Sequence, residues 1–285
     1  MTVAQAAAPA GETDADRLAA WFEGRARVVA LTGAGCSTES GIPDYRDEQG
    51  AWKRKPPVQL RDFVTSEPAR RRYWARALLG WRRFAGAGPN GAHRALAALE
   101  AGGRLVHLIT QNVDGLHQRA GNRHVTDLHG RLDEVECLCC GARLPRAAFQ
   151  SELEDRNPQW QRWSAGMAPD GDADLEGVDF SAFRIPDCAV CGGLLKPAVV
   201  FFGEAIPAER SRQALAMVET ADALLVAGSS LMVWSGFRLV RAAAEKGLPV
   251  AAVNRGRTRA DHLLQLKIEG ACADTLSQTA SRLGL

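Results

Sequence analysis

Four cysteines carry the clearest chemistry in this sequence. Cys137 and Cys140 form one C-x-x-C turn and Cys188 and Cys191 a second, each turn running on into glycine within a residue or two. Two thiolates at this spacing bind one ion while backbone amides of the following turn approach the sulfurs, and a tetrahedral zinc ion takes four such ligands. With every position filled by sulfur, no place is left for water or substrate, so the zinc expected here is structural. The stretch between the pairs is longer than in common zinc ribbons, and Cys139 is a rival ligand. Aromatic residues interleaved with basic ones, the mark of a nucleic-acid surface, are not evident around the pairs.

A second candidate is the turn GAGCS. Gly33 and Gly35 let the backbone approach a phosphate, and amides at the start of a following helix can donate to it. The pattern is G-x-G without a third glycine in register, so the dehydrogenase fingerprint is incomplete, and a plain tight strand-to-helix turn explains the same residues. Cys36 stands at that helix start, where a thiolate is favoured; packing is the preferred reading.

These groups need a frame. The run RVVALT ahead of the glycine turn, and the similar runs LVHLIT (105–110), ALLVA (223–227) and PVAAVN (249–254), are short and almost wholly apolar. Helical patterns such as HRALAALEAG and FRLVRAAAEKG lie between them. Apolar strands alternating with helices predict an α/β fold, a Rossmann-like parallel sheet with helices on both faces. Each strand ends in a polar cluster (GAG, TQN, GSS, NRG), and in such sheets the ligand sits outside the strand carboxyl ends. Residues 21–50, 89–132 and 196–285 are assigned to this domain. Two segments interrupt it: a helical insert at 51–88, containing RRRYWARALLGWRRF, and the cysteine module at 133–195. Together they predict a smaller second domain. Residues 1–20 read as a flexible leader, and the acidic APDGDADLEG as a solvated loop.

The bulk numbers exclude more than they assign. The chain has 285 residues, 46% of them hydrophobic, and a formal net charge of +2. A sizeable core is available, and no global charge argues for nucleic acid or membrane. Charge is uneven: ten Lys or Arg between Trp52 and Arg83 face only Asp62 and Glu67. No run of apolar residues is long enough to span a bilayer, and the start lacks an export or transit pattern. A cytoplasmic, bacterial location is expected, a mitochondrial one less so, with seven cysteines kept reduced.

The glycine turn continues as GAGCSTESGIPDYR, which resembles the opening motif of the sirtuin family. TQNVDGLHQRAG, LHG at 128–130, the paired cysteines, KPAVVFFGE, GSSLMV and VNRGRTRAD resemble the remaining motifs in the family's order, over nearly the whole chain after residue 20. Tyr45 in PDYR, the YWAR segment and the long insert between the cysteine pairs look most like the class II branch.

The resemblance implies an NAD-dependent enzyme that removes acyl groups from protein lysines, releasing nicotinamide and O-acyl-ADP-ribose. NAD is then a co-substrate beside one structural zinc, and acyl-lysine peptides are the partners of a monomer. A protein ADP-ribosyltransferase using the same NAD site is the alternative. By the family's pattern His129 is the general base, suited by an ordinary pKa near 6.5, with Asn112 beside it in catalysis. Gly33, Ala34, Gly35, Ser37, Asp44, Tyr45 and Arg46 would line the cofactor loop. Gln111, Asn112 and Asp114 would hold the nicotinamide and ribose. Gly228, Ser229, Ser230, Asn254, Arg255, Gly256 and Cys272 would take the adenosine half. Phe202, Gly203, Glu204 and Val233 match the segments that pair with a substrate peptide as an added strand. A Tyr-x-x-Arg pair, Tyr73 and Arg76, shares a helix face and would reach an acidic acyl group, with a solvated arginine over a packed tyrosine as the alternative.

Overall fold

The computed structural model describes residues 12–53, 56–162, 175 and 177–285. In chain order its elements are α1 (Asp14–Phe22), β1 (Val28–Thr32), α2 (Leu60–Thr65), α3 (Glu67–Gly86), α4 (Gly91–Ala101), β2 (Leu105–Thr110), α5 (Leu116–Ala120), β3 (Val125–Asp127), β4 (Gly130–Cys137) and β5 (Arg143–Pro145). They continue with α6 (Arg146–Arg156), β6 (Leu195–Val199), α7 (Ala208–Glu219), β7 (Ala223–Ala227), α8 (Trp234–Glu245), β8 (Val250–Val253), β9 (Leu266–Ile268) and α9 (Cys272–Arg282).

Six strands form one parallel sheet in the order β3-β2-β1-β7-β8-β9. From β1 the chain builds outward through β2 and β3, then returns to the other side of β1 as β7. Loops leaving the strands on either side of that reversal diverge and open a crevice at the carboxyl ends. Alternate residues serve opposite faces. Val28 and Ala30 join Leu96 and Leu99 of α4 and Leu276 of α9, while Val29 and Leu31 join Val218 of α7 and Leu239 and Val240 of α8. Fully burying one such side chain is worth about 1.5–3 kcal/mol, which is why strands covered on both faces read as unbroken apolar runs.

Part of the range expected as a flexible leader, 1–20, is an ordered helix from Asp14 on. Thr13 caps α1: its Oγ1 accepts the Asp16 amide at 3.2 Å, and its own amide donates to the Asp16 carboxylate at 3.0 Å. Leu18 and Phe22 are fully buried, and Arg282 of α9 reaches Asp16 at 2.7 Å. The acids that read as a solvated leader are thus the start of a packed helix. Residues 1–11 lie outside the described residues, as does nearly all of the acidic loop expected at 168–177.

The two interrupting segments share one core. Phe63 of α2 and Trp74 and Leu78 of α3 pack with Val135 of β4 and Phe149 and Leu153 of α6, and the Trp74 and Phe149 rings lie 4.6 Å apart. A second sheet, β5-β4-β6, is antiparallel. Its strands overrun the expected boundaries: Gly130 pairs with Val199, so 130–132 and 196–199 belong to this sheet and bridge the two units.

Candidate active site

The loops after β1, β2, β3, β7 and β8 converge on one cavity of about 620 Å³. It is lined by every site residue expected from the motifs, Tyr73 included, except Gly256, Cys272 and Arg76. Gly256 packs against Glu48: a Cβ there would stand 2.4 Å from the Glu48 carbonyl oxygen. Cys272 is buried on α9, its thiol directed at the Val253 carbonyl at 3.4 Å. Contact with Cys272, and burial, push the Cys36 thiol well above its usual range. Cys36 is therefore a packed thiol, not a thiolate.

The glycine turn after β1 locks against the turn after β7. Gly33 and Gly35 donate to the carbonyls of Ala227 and Gly228 at 3.0 and 2.8 Å. A Cβ on Gly35 would lie 2.9 Å from the Gly228 Cα, and one on Gly228, at φ 62°, would lie 2.2 Å from the Cys36 nitrogen. Close approach of two loops is thus what these glycines are for. The amides of Cys36 and Ser37 also donate to carbonyls inside the turn, so fewer are free for an anion than the motif alone implied.

A buried polar chain stands beneath. The Asn112 amide group donates to the Gly33 carbonyl at 3.1 Å and to Ser37 Oγ at 3.0 Å. Ser37 in turn donates to Asp114 Oδ2 at 2.6 Å, while Asp114 Oδ1 accepts the Leu116 amide at 2.9 Å. Behind Ser37 lies His93, fully buried, with its ring 4.7 Å from that of His117. Burial drives His93 down to about 4. Neither histidine stood out in the sequence.

His129 follows β3. Its Nδ1 lies 2.9 Å from the Gln111 carbonyl, which can only accept, so Nδ1 carries the hydrogen and Nε2 is the accepting nitrogen. Gln111 is itself tied, its Nε2 donating to Ser229 Oγ at 2.7 Å and to the Thr32 carbonyl at 3.2 Å. Burial pushes His129 down to about 4, against the opposing Gln111 contact, and the Arg210 charge adds to the depression. The ring is therefore neutral throughout the physiological range. Its Nε2 meets Ser235 Oγ at 2.8 Å, a hydroxyl that no motif marked.

The remaining walls are shaped by stacking. Arg46 lies over the Trp52 ring at 4.0 Å and donates to the Gly50 carbonyl at 2.7 Å, and Lys53 pairs with Asp44. Trp52 meets Phe202 edge-on at 5.5 Å. Leu231, the one described non-glycine residue at positive φ (57°), bends the chain into Met232 and Val233. Tyr73 packs on Phe63 and Phe201 at 5.4 and 5.3 Å. Arg76, three residues on, is half-buried and is not among the residues that line the cavity.

The four cysteines come together as expected. Their sulfurs lie within 4.8 Å of one another, with Cys137 and Cys191 at 3.5 Å and Cys140 and Cys188 at 3.8 Å. Zinc–sulfur bonds of about 2.3 Å in a tetrahedron put sulfurs about 3.8 Å apart, so the donor set fits zinc. Cys139 is exposed and outside the cluster.

Comparison with known proteins agrees with this geometry. The family model described as the Sir2 family matches residues 33–235. A protein from Bordetella bronchiseptica named NAD-dependent protein deacetylase is 58% identical over 269 residues, 94% of this chain and 98% of the relative. NAD-dependent protein deacetylase 1 of Streptomyces coelicolor is 52% identical and is covered over 86% of its length, against 90% of this chain. A crystal structure of a Sir2 homolog–NAD complex superposes with a TM-score of 0.73 at 31% identity, covering 94% of this chain and 93% of the other. A Sir2 complex with a deacetylated peptide and 3'-O-acetyl-ADP-ribose gives 0.75 at 29%, covering 94% and 98%.

Proposed function

Starting from a chain that belongs to the Sir2 family and is an NAD-dependent protein deacetylase, we propose a division of labour among the residues of its cavity. NAD, when bound, supplies an activated ribose to which the acyl group passes as nicotinamide leaves. Asn112 and Asp114 are fixed by the Gly33 carbonyl, Ser37 and the Leu116 amide, and offer one amide oxygen and one carboxylate to the nicotinamide end. The turns at 33–35 and 228–230, with Asn254 and Arg255, take the other end. Phe202, Gly203 and Val233 present main chain to the peptide.

The observation that carries this reading is the pinned tautomer of His129, which leaves Nε2 the accepting nitrogen in the cavity that Asn112 and Asp114 also line. It takes up a hydroxyl proton, and a neutral buried imidazole suits that role at physiological pH. The bacterial relatives support a bacterial enzyme, which we place in the cytoplasm as a monomer acting on protein or peptide substrates. Among the described residues no helix is long and apolar enough to cross a membrane. The likeness of PDYR and YWAR to the class II branch supports placing it there.

The test is mass spectrometry of NAD and acetyl-peptide incubated with the parent and with His129→Ala. O-acetyl-ADP-ribose from the parent, and at least about a hundredfold less from the variant with NAD affinity within a few fold, is the expected result. ADP-ribosylated protein with no deacetylated peptide would instead favour transfer to protein.

A further inference from the structure

Ser235 opens the first turn of α8, half-buried and facing the cavity. Among the described residues, His129 has two hydrogen-bond partners: the Gln111 carbonyl on Nδ1 and the Ser235 hydroxyl on Nε2. Since Nε2 carries no hydrogen in this tautomer, Ser235 donates to it. We propose that Ser235 is a positioning residue for the His129 base, donating to Nε2 while the ring is neutral and turning to accept from Nε2–H once the ring has taken a proton. This rests on the reading of His129 as the base.

A hydroxyl is suited to that reversal because it is at once donor and acceptor. In the step, one hydroxyl proton of the co-substrate moves to Nε2, its oxygen keeps the bonding pair, and the ring gains one positive charge. That charge is poorly placed. Arg210 of α7 repels it, Arg238 lies one turn further along α8, and the amino end of α8 adds its own positive dipole. Asp127, at the end of β3, lies close to Arg210, and Asp114 is held by Ser37 and the Leu116 amide. Without Ser235 the new Nε2–H would be left, once the co-substrate oxygen moves off to react, as a buried, charged donor without a side-chain acceptor, a costly kind of unmade hydrogen bond.

Ser235→Ala and Ser235→Thr test this with one readout on the free enzyme and two on the reaction. At pH 7.5 the 15N signal of His129 Nε2 should move downfield in the alanine variant, where its hydrogen bond is gone, and stay near the parent in the threonine variant. Exchange of labelled nicotinamide into NAD precedes the proton uptake and should stay within about threefold of the parent. Formation of deacetylated peptide should fall roughly 10- to 100-fold in Ser235→Ala, and return to within about threefold in Ser235→Thr. An unmoved Nε2 signal, or equal losses in exchange and product formation, would overturn the proposal. A His129→Ala enzyme that still forms product would remove the base itself, whichever way Ser235→Ala behaves.

Discussion

Lys196 and Glu204 form an inward-facing ion pair, Nζ to Oε2 at 3.3 Å, beneath the turn that carries Phe202 and Gly203. Lys196 is 1% exposed, yet it is fully satisfied: it also meets Glu136 at 3.3 Å and donates to the carbonyls of Pro197 and Val199 at 3.2 and 2.5 Å. Glu204 accepts the Phe201 amide at 2.7 Å. The carboxylate expected to serve the substrate peptide therefore cinches its own loop. Glu136 adjoins Cys137, so the same ammonium joins the zinc module to the substrate turn.

Lys196→Met should accordingly loosen that turn more than it unfolds the protein. Breaking a buried pair costs about 3–5 kcal/mol. Glu136 and Glu204 retain 27% and 21% side-chain exposure and can turn to water, which lowers the expected loss to about 1–3 kcal/mol. Urea unfolding reads that loss. In steady-state assays the peptide KM should rise roughly fivefold while the KM for NAD stays within about twofold. A matching rise in both would place the effect in the fold as a whole.

Zinc removal should act through the shared core. Four-thiolate binding contributes on the order of 10 kcal/mol of folding free energy in small peptides, and Cys137 and Cys188 pack in the cluster that holds Tyr73 and Phe201 of the cavity wall. We expect one zinc per chain by metal analysis, and loss of both zinc and activity in Cys188→Ala. A fully active protein without zinc would contradict the structural role.

Acid should destabilise the fold through its buried histidines. His93 and His129 sit near 4 in the folded state because burial disfavours their charged forms, against about 6.5 in the unfolded chain. The unfolded state takes up protons first. Their stability contribution is thus whole above about pH 6.5 and is lost as the pH falls toward 4. Between pH 7.5 and 5.5 each contributes a loss of about 1.4 kcal/mol. His93→Gln should remove one such increment from the pH dependence of the urea unfolding free energy. An identical slope in parent and variant would mean that His93 takes up its proton alike in the folded and unfolded states.

What the sequence could and could not carry follows from the range of each signal. The sheet was legible because strands covered on both faces must be apolar along their length, as in VVALT and ALLVA. The cysteine pairs were legible because metal geometry fixes their spacing. β3 and β9, three residues each at the sheet edges, leave no such pattern. Ser235 and the Lys196 network depend on chain segments meeting from far apart: a serine 106 positions from its histidine has no local signature. Tyr73 and Arg76 show a related limit, since only Tyr73 lines the cavity. Spacing of three puts two side chains on one helix face, but only packing decides which of them reaches a cavity.

The acyl preference follows from that last point. Ile42, Val58, Phe84, Val113, Leu132 and Val199 line the cavity together with Tyr73, giving it an apolar side with no guanidinium from Arg76. We therefore expect straight aliphatic acyl groups to be favoured over acidic ones. Each methylene buried there contributes about 0.8 kcal/mol, a factor of about four. If that energy is expressed in the transition state, kcat/KM should climb from acetyl to propionyl to butyryl until the space is filled. Succinyl, of similar length, would bury a carboxylate without a partner and should fall below acetyl. Arg76→Ala should leave the order of the whole series unchanged. A succinyl rate above acetyl that drops at least about tenfold in Arg76→Ala, the cost of one charge-assisted contact, would show instead that the arginine swings in when substrate binds.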